Sequence, residues 1–427
     1  MQVRVNKIKA FRGNIEVPSD KSLSHRTIML GSLCRGEVSI KNFSNGEDCQ
    51  NTLKIFKELG AEVTFKDNKN FILNCKNLIQ PNKTLYVGNS GTTIRLLSGL
   101  LAGQDFSSRL EGDISLSKRP MKRIIEPLTQ MGAKITSLNN DFKAPLIIAP
   151  ARLHSIDYIS PIASAQVKSC ILFAGLFADG KTTVTEPYKS RDHSERMLQY
   201  LEANIEIEKN KVTISKSELT PKELSISGDI SSAAFFFVAA AIIPGANIIV
   251  KNVGLNPTRT GIIDVLKQMG ANIEILDLKT ICNEEVADIK VSYSEDLKGI
   301  EISGSIIPRL IDELPVIAIL ASQADGQTFI KDAQDLRNKE SDRIKSVCNE
   351  FKKLGINITE QEDGFIIEGK TPLKGNATIE TYHDHRLAMS AYVAGLICEK
   401  PVLINDFEWV NTSFPEFLEL MNELIKE

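Results

Sequence analysis

Residues 90–104 read SGTTIRLLSGLLAGQ, four small residues running straight into a helix that is apolar on nearly every side. A helix without a polar face is stable only when it is enclosed, so this stretch predicts a buried helix. Five others share its form: SLSHRTIMLGSLCRG, SAQVKSCILFAGLFADG, SSAAFFFVAAAIIPG, DELPVIAILASQADG and DHRLAMSAYVAGLICEK. The six begin near residues 22, 90, 164, 231, 312 and 385, a spacing of 67 to 81 residues that is too long for a short-repeat solenoid.

A second phrase alternates with the first. IFKELGAEVTF around Gly60, PLTQMGAKITS around Gly132, QYLEANIEIEK around Ala203, VLKQMGANIEI around Gly270 and EFKKLGINITE around Gly355 each read as an amphipathic helix stopped at a small residue, followed by a strand of period two. Each repeat therefore holds two helices and several short strands, the apolar helix inside. Three copies precede residue 228 and three follow it, which predicts two equivalent domains of three repeats. ELSISGDISSAAF near Gly228 is the expected crossover.

Composition agrees with such a chain. The 427 residues are 42% hydrophobic and 25% charged, ordinary for a globular protein with two cores. A net charge of -3 gives no basic footprint for nucleic acid. No run of 18 apolar residues occurs, and MQVRVNKIKAFRG lacks a signal-peptide core, so the expectation is a cytoplasmic protein with no membrane partner. Seven cysteines, at 34, 49, 75, 170, 282, 348 and 398, show no CxxC spacing. Cys34, Cys170 and Cys398 fall in apolar helical patterns and read as buried thiols rather than disulfide or zinc ligands.

The chemistry collects where the buried helices begin. A helix N-terminus presents unpaired N–H groups and a positive dipole end, and so binds anions. At these openings lie Lys21, Ser22 and Arg26; Asn89, Gly91, Thr92 and Arg95; Ser164, Ala165 and Gln166; Asp312; and His385 with Arg386. Any single opening is equally a capped helix with solvated flanks; repetition at several openings is what favours a ligand. VGNSGTTIRLL from Val87 is the strongest, with Gly88 and Gly91 allowing close backbone approach beside three hydroxyls. It is neither a Walker A loop nor GxGxxG.

Charged motifs surround these openings. In LSKRPMKRIIEPL, Arg119 just ahead of Pro120 is expected to point into a cleft, the proline to start a helix, and Lys122 and Arg123 to be solvated. In EPYKSRDHSERML, Ser190 and Ser194 read as caps; in LRNKESDRI, Glu340 or Asp342 suits a first turn, yet Lys339, Glu340 and Arg343 also crowd together as a proton carrier among cations would. YHDHRLAM invites a metal reading through His383, Asp384 and His385, but Arg386 beside them suits an anion better, and no metal site is expected.

The ordered set SDKSLSHR, GNSGTTIR, SKRPM, SAQVKS, SRDHSERML, a helix with Asp312, NKESDR, DHRLAM and TSFPEF resembles the 5-enolpyruvylshikimate-3-phosphate synthase family from end to end. The resemblance implies an α/β enolpyruvyl transferase fold: two domains, each an inside-out α/β barrel of three βαβαββ repeats, with residues 1–20 and 229–427 in one and 21–228 in the other. It implies transfer of the enolpyruvyl group of phosphoenolpyruvate to the 5-hydroxyl of shikimate 3-phosphate through a tetrahedral adduct, with release of phosphate and without metal or organic cofactor. By match of motifs, shikimate 3-phosphate would be held by Lys21, Ser22, Arg26, Ser164, Ala165, Gln166, Arg191, Asp312 and Lys339. Phosphoenolpyruvate would be held by Lys21, Asn89, Gly91, Thr92, Arg119, Gln166, Arg343 and Arg386. Asp312 would take the hydroxyl proton, Glu340 with Lys21 would manage protons at the methylene, and His385 would support them. A monomer whose domains close on two small polyanions is expected.

Two departures qualify the match. Thr412, Ser413, Phe414 and Pro415 stand where many members read Lys-Thr-Phe-Pro, so a phosphoenolpyruvate-contacting lysine is missing. With SAQ in place of SSQ and the SRDH stretch, this resembles the divergent bacterial class and implies reduced but partial inhibition by glyphosate, for which Gly91 leaves room. The sister transferase acting on UDP-N-acetylglucosamine carries a reactive cysteine in the loop that reads GDISLSKRP here, without one. A noncatalytic phosphometabolite binder would have lost Asp312 and Glu340, and a Rossmann dehydrogenase would show a glycine fingerprint.

Overall fold

The computed structural model describes residues 1–426. All six apolar stretches form helices: Lys21–Gly31, Gly91–Ala102, Ala165–Gly175, Ile230–Ile242, Leu314–Gln323 and His385–Gly395. Almost every residue of each is buried, as the missing polar face requires.

Parallel strands need a crossover connection, and the buried helix supplies it. Leu85–Tyr86 leads into helix Gly91–Ala102 and returns as Ser108–Glu111 in parallel pairing, Leu85 opposite Leu110. Two antiparallel strands, Leu146–Ala149 and then Lys134–Ser137, complete a four-stranded sheet. The same order builds the sheets around Lys181–Thr185, Val38–Lys41 and Gln327–Ile330. Strand faces turned away from the helices are polar, as in Ile205–Glu208.

The chain divides into two compact units. The first holds Met1–Pro18, Ser227–Thr280 and the stretch from Glu285 onward; the second holds Ser19–Ile226 and Ile281–Glu284. The divisions lie two residues ahead of the boundaries expected at 20/21 and 228/229. The small segment 281–284 was given to the other domain in the sequence reading. Its place in the second unit follows from side-chain contacts: Glu284 Oε1 lies 2.7 Å from His193 Nδ1, and Arg196 Nη1 donates to the Asn283 carbonyl at 2.9 Å.

Each unit is closed by strands from distant sequence. In the second, Leu224–Ser225 pairs in parallel with Val38–Lys41, 184 positions earlier, Leu224 opposite Ile40. In the first, Ala10–Glu16 pairs in parallel with Asn247–Gly254, and Val3–Val5 runs antiparallel to Val402–Ile404. Within the second unit, helix Gly91–Ala102 packs on both Lys21–Gly31 and Ala165–Gly175. A Cβ at Gly99 would stand 2.0 Å from the Cys170 carbonyl oxygen, so only glycine permits that crossing.

Candidate active site

In the second unit, three helix openings carry interlinked polar side chains. Asp20 caps helix Lys21–Gly31, accepting from Leu23 N at 2.8 Å, and Lys21 is paired with the buried carboxylate of Asp48. Arg26, one turn inside and buried, donates to Ser194 Oγ at 2.7 Å, to the Ser22 carbonyl at 2.9 Å and to Ser169 Oγ at 3.1 Å. Ser169 and Ser194 are themselves 2.6 Å apart.

Ser90 caps the second helix, accepting from Thr93 N at 3.1 Å. Arg95 Nη1 donates to Gln166 Oε1 at 2.6 Å, and Gln166 Nε2 donates to Thr92 Oγ1 at 3.1 Å, which ties the second helix opening to the third. Arg119 is buried and donates to Asn89 Oδ1 at 2.6 Å, while Asn89 donates to Asp113 at 2.6 Å. Gly91 lies under both guanidiniums: a Cβ there would stand 2.9 Å from Arg95 Nη1 and 3.4 Å from Arg119 Nη1. Ser164 caps helix Ala165–Gly175 and donates its backbone N–H to Glu186 Oε1 at 2.9 Å. Arg191 is half-buried, one residue ahead of helix cap Asp192.

The first unit gathers carboxylates around one guanidinium. Arg343 is buried and grips Asp384 with Nε at 2.7 Å and Nη2 at 3.3 Å; Nη2 also donates to Glu340, and Nη1 to Asp312 Oδ1 at 3.3 Å. Lys339 Nζ lies 3.3 Å from the same Asp312 oxygen. Burial opposes the charge on Arg343, but Asp384, Glu340 and Asp312 outweigh it and hold its pKa above the usual arginine value. Arg386 donates its backbone N–H to Asp384 at 3.0 Å and Nη1 to the Asp312 carbonyl at 3.2 Å. His385 is the buried first residue of its helix.

Several local expectations need correction. Ser190 and Ser194 do not cap: Asp192 holds the cap position, Ser190 donates to Glu186 at 2.9 Å, and Ser194 holds Arg26. Pro120 does not start a helix; Met121 is the cap position of Lys122–Gln130. Cys34 and Cys398 follow the ends of their helices, whereas Cys170 lies within one. Arg119 is buried and Lys122 exposed, but Arg123 is half-buried. His383 stacks on Trp409 at 4.6 Å, and among the described residues no three His, Cys, Asp or Glu side chains converge as a metal site. Burial pushes the thiols of Cys34, Cys49, Cys348 and Cys398 up to about 12, and that of Cys170 higher still, the opposite of an activated cysteine.

The sequence reading missed Asp48, Ser169 and the pairing of Asp384 with Arg343. Ser169 and Asp384 lie within the quoted motifs SAQVKS and YHDHRLAM, where spacing from the cap was the signal available; Asp48 lies in the first turn of helix Glu47–Glu58, outside every quoted motif.

A family model for EPSP synthase (3-phosphoshikimate 1-carboxyvinyltransferase) matches residues 5–421. The chain belongs to this family. It is 48% identical to the 3-phosphoshikimate 1-carboxyvinyltransferase of Bacillus licheniformis over 99% of both chains, and 50% identical to that of Thermoanaerobacter sp. over 99% of this chain and all of the other. The solved EPSP synthase of Acinetobacter baumannii superposes with a TM-score of 0.89 at 44% identity, covering 99% of this chain and 98% of that one. The enolpyruvyl transferase NikO of Streptomyces tendae, 15% identical with a TM-score of 0.80 over 99% of this chain and 96% of that one, shares the fold. No helix among the described residues is long and apolar enough to cross a membrane.

Proposed function

We propose that this chain catalyses enolpyruvyl transfer from phosphoenolpyruvate to the 5-hydroxyl of shikimate 3-phosphate, releasing phosphate. The observation that carries this reading is the pair Asp312 and Glu340 on one buried guanidinium, in a chain of this family. Both substrates are polyanions, and the three helix openings of the second unit offer dipole ends with Lys21, Arg26 and Arg119.

Ser22, Arg26, Ser164, Ala165, Gln166 and Arg191 then hold shikimate 3-phosphate, together with Lys21 and Lys339. Asn89, Gly91, Thr92, Arg119 and Gln166 hold phosphoenolpyruvate, together with Lys21, Arg343 and Arg386. Asp312 accepts the 5-hydroxyl proton as that oxygen bonds to C2 of phosphoenolpyruvate, while Glu340, together with Lys21, passes a proton to C3, giving the tetrahedral adduct. Glu340 then takes a proton back from the C3 methyl as the C2–O bond to phosphate breaks, and the proton held by Asp312 leaves with the departing phosphate, which restores both carboxylates. Lys339 and Arg343 on Asp312 hold its orientation, and His385 flanks Arg386 in support.

The test is phosphate release from phosphoenolpyruvate with shikimate 3-phosphate or UDP-N-acetylglucosamine as acceptor, with Asp312→Ala alongside. Release with shikimate 3-phosphate alone, lost in the variant, is expected. Release with the sugar nucleotide, or with neither acceptor, overturns the reading.

A further inference from the structure

Lys168 is the one charged residue of helix Ala165–Gly175, AQVKSCILFAG, and its side chain is 2% exposed. Its ammonium is 2.7 Å from Glu186 Oε2 and 2.7 Å from Glu195 Oε1, both carboxylates 1% exposed. Three charges taken out of water this completely are not a favourable way to gain stability; packed apolar groups of the same volume serve as well or better. The arrangement therefore calls for another reason.

The hydrogen bonds show where the two arms lead. Glu186 Oε1 accepts the backbone N–H of Ser164, the residue that opens and caps the helix, and Oε2 accepts both the N–H and hydroxyl of Ser190. Glu195 follows Ser194, whose hydroxyl accepts from Arg26 Nε and sits 2.6 Å from Ser169, the residue next to Lys168. One arm holds the Ser164 N–H; the other ends on Glu195, whose chain neighbour Ser194 belongs to the hydroxyl pair that aims Arg26. Burial raises the pKa of Glu195 against the pull of Lys168, and the pKa of Lys168 is raised because its two carboxylates outweigh burial.

We propose that Lys168 is a positioning residue for shikimate 3-phosphate: its ammonium, clamped between Glu186 and Glu195, sets Ser164 and the Ser169–Ser194–Arg26 group at the separation that the substrate spans. This rests on the function proposed above. Lys168 touches no substrate and acts through those groups, so its loss falls on one substrate.

The experiment uses the full chain and compares three variants with the unmodified protein. Lys168→Met removes the clamp; Lys168→Met with Glu195→Gln removes it while keeping the cluster's net charge, which protects folding; Lys181→Met breaks an exposed pair on the strand that follows the same helix. Thermal denaturation and steady-state phosphate release are recorded with each substrate varied in turn.

For the two clamp variants the KM for shikimate 3-phosphate is expected to rise about tenfold to a hundredfold, the scale of a contact misplaced by about an ångström, with the KM for phosphoenolpyruvate within about threefold. Lys181→Met should leave both constants unchanged. An unshifted KM for shikimate 3-phosphate in a folded clamp variant overturns the inference, as does an equal rise in both KM values or a loss confined to melting temperature. If Lys168→Met does not fold, the charge-balanced double variant decides. An unmodified protein that does not use shikimate 3-phosphate overturns the proposed function and this inference with it.

Discussion

Gly91→Ala should weaken phosphoenolpyruvate binding and lower stability together. The added Cβ would lie 2.9 Å from Arg95 Nη1, closer than side-chain carbons approach a neighbouring atom, and 3.4 Å from Arg119 Nη1. Gly91 does not have a positive φ, so alanine strains no backbone there, and the crowded atom is the mobile end of a long side chain. Arg95 yields, and in yielding loses its 2.6 Å bond to Gln166 Oε1. A hydrogen bond to a charged group contributes about 1.5–3 kcal/mol, equivalent to roughly tenfold to somewhat over a hundredfold in affinity. Against this, alanine in place of glycine gains about 1 kcal/mol in a helix interior and less at Gly91, the first helical residue after the Ser90 cap. Phosphate release at saturating shikimate 3-phosphate should show the KM for phosphoenolpyruvate raised by up to that factor, with a melting temperature below that of the unmodified protein, because the lost bond outweighs the helix gain. An unchanged KM would refute the reasoning, because it would show that Arg95 has room to move without releasing Gln166.

Asp312→Asn should lower kcat by about 10²–10⁴, the usual contribution of a positioned base, with little change in melting temperature; kcat within about threefold would remove Asp312 from proton transfer. Arg343→Met leaves Asp384, Glu340 and Asp312 without their shared cation and should destabilise the chain by about 3–5 kcal/mol in urea denaturation; a loss under about 1 kcal/mol would mean the cluster holds together without it. His25, buried and flanked by Lys21 and Arg26, has its pKa held well below 6.5, first by desolvation and then by those cations. The unfolded chain thus binds the extra proton below about pH 6.5, so this stability is present above that pH and falls as pH drops, by up to about 1.4 kcal/mol per unit. Urea midpoints at about pH 7.5 and pH 5.5 should differ less in His25→Asn than in the unmodified protein, and equal differences would refute it. Glyphosate at millimolar concentration should inhibit turnover in part; full activity in its presence would contradict the room expected beside Gly91.

The six buried helices were legible because enclosure removes the polar face, and that leaves a local mark in the sequence. Each begins within two residues of where its phrase begins, from Lys21 for Ser22 to Leu314 for Asp312. Strand sharing left no such mark. Nothing in VRV at Val3–Val5 announces pairing with Val402–Ile404, because period-two alternation names the face of a strand and not its partner. The helix-opening residues were visible by type, but their connections were not. Ser194 looked like a cap because a serine near a helix start usually is one, yet here the hydroxyl is turned to Arg26. Lys168 passed as an ordinary lysine in SAQVKS, since a sequence does not distinguish a side chain that reaches solvent from one enclosed by two glutamates.

The caps show how one repeat can carry different chemistry at each opening. A cation in the first turn opposes the helix dipole by about 0.3–1 kcal/mol, so Lys21 and Arg386 are placed against stability. In both helices the residue just before is an aspartate that accepts a first-turn N–H: Asp20 from Leu23, Asp384 from Arg386. Helix Ile230–Ile242 is the internal comparison. It keeps an aspartate cap in Asp229 but has no cation in its first turn, and there the cap accepts Arg259, a buried guanidinium brought from another segment, at 3.0 Å. Helix Leu314–Gln323 departs the other way: Glu313 makes no cap bond, and its carboxylate instead accepts from Ser231 and lies 3.9 Å from Arg386. Four of the six buried helices thus carry an acidic residue at the cap position, Asp20, Asp229, Glu313 and Asp384, while Ser90 and Ser164 cap the other two, and what each acidic group holds varies. Asp20 and Asp384 hold a first-turn N–H beside a cation of their own opening; Asp229 holds the Ser231 N–H at 2.9 Å and Arg259 besides, and Glu313 is turned to Ser231 and Arg386, so these two openings are tied into the scaffold beside Asp312 and Arg386.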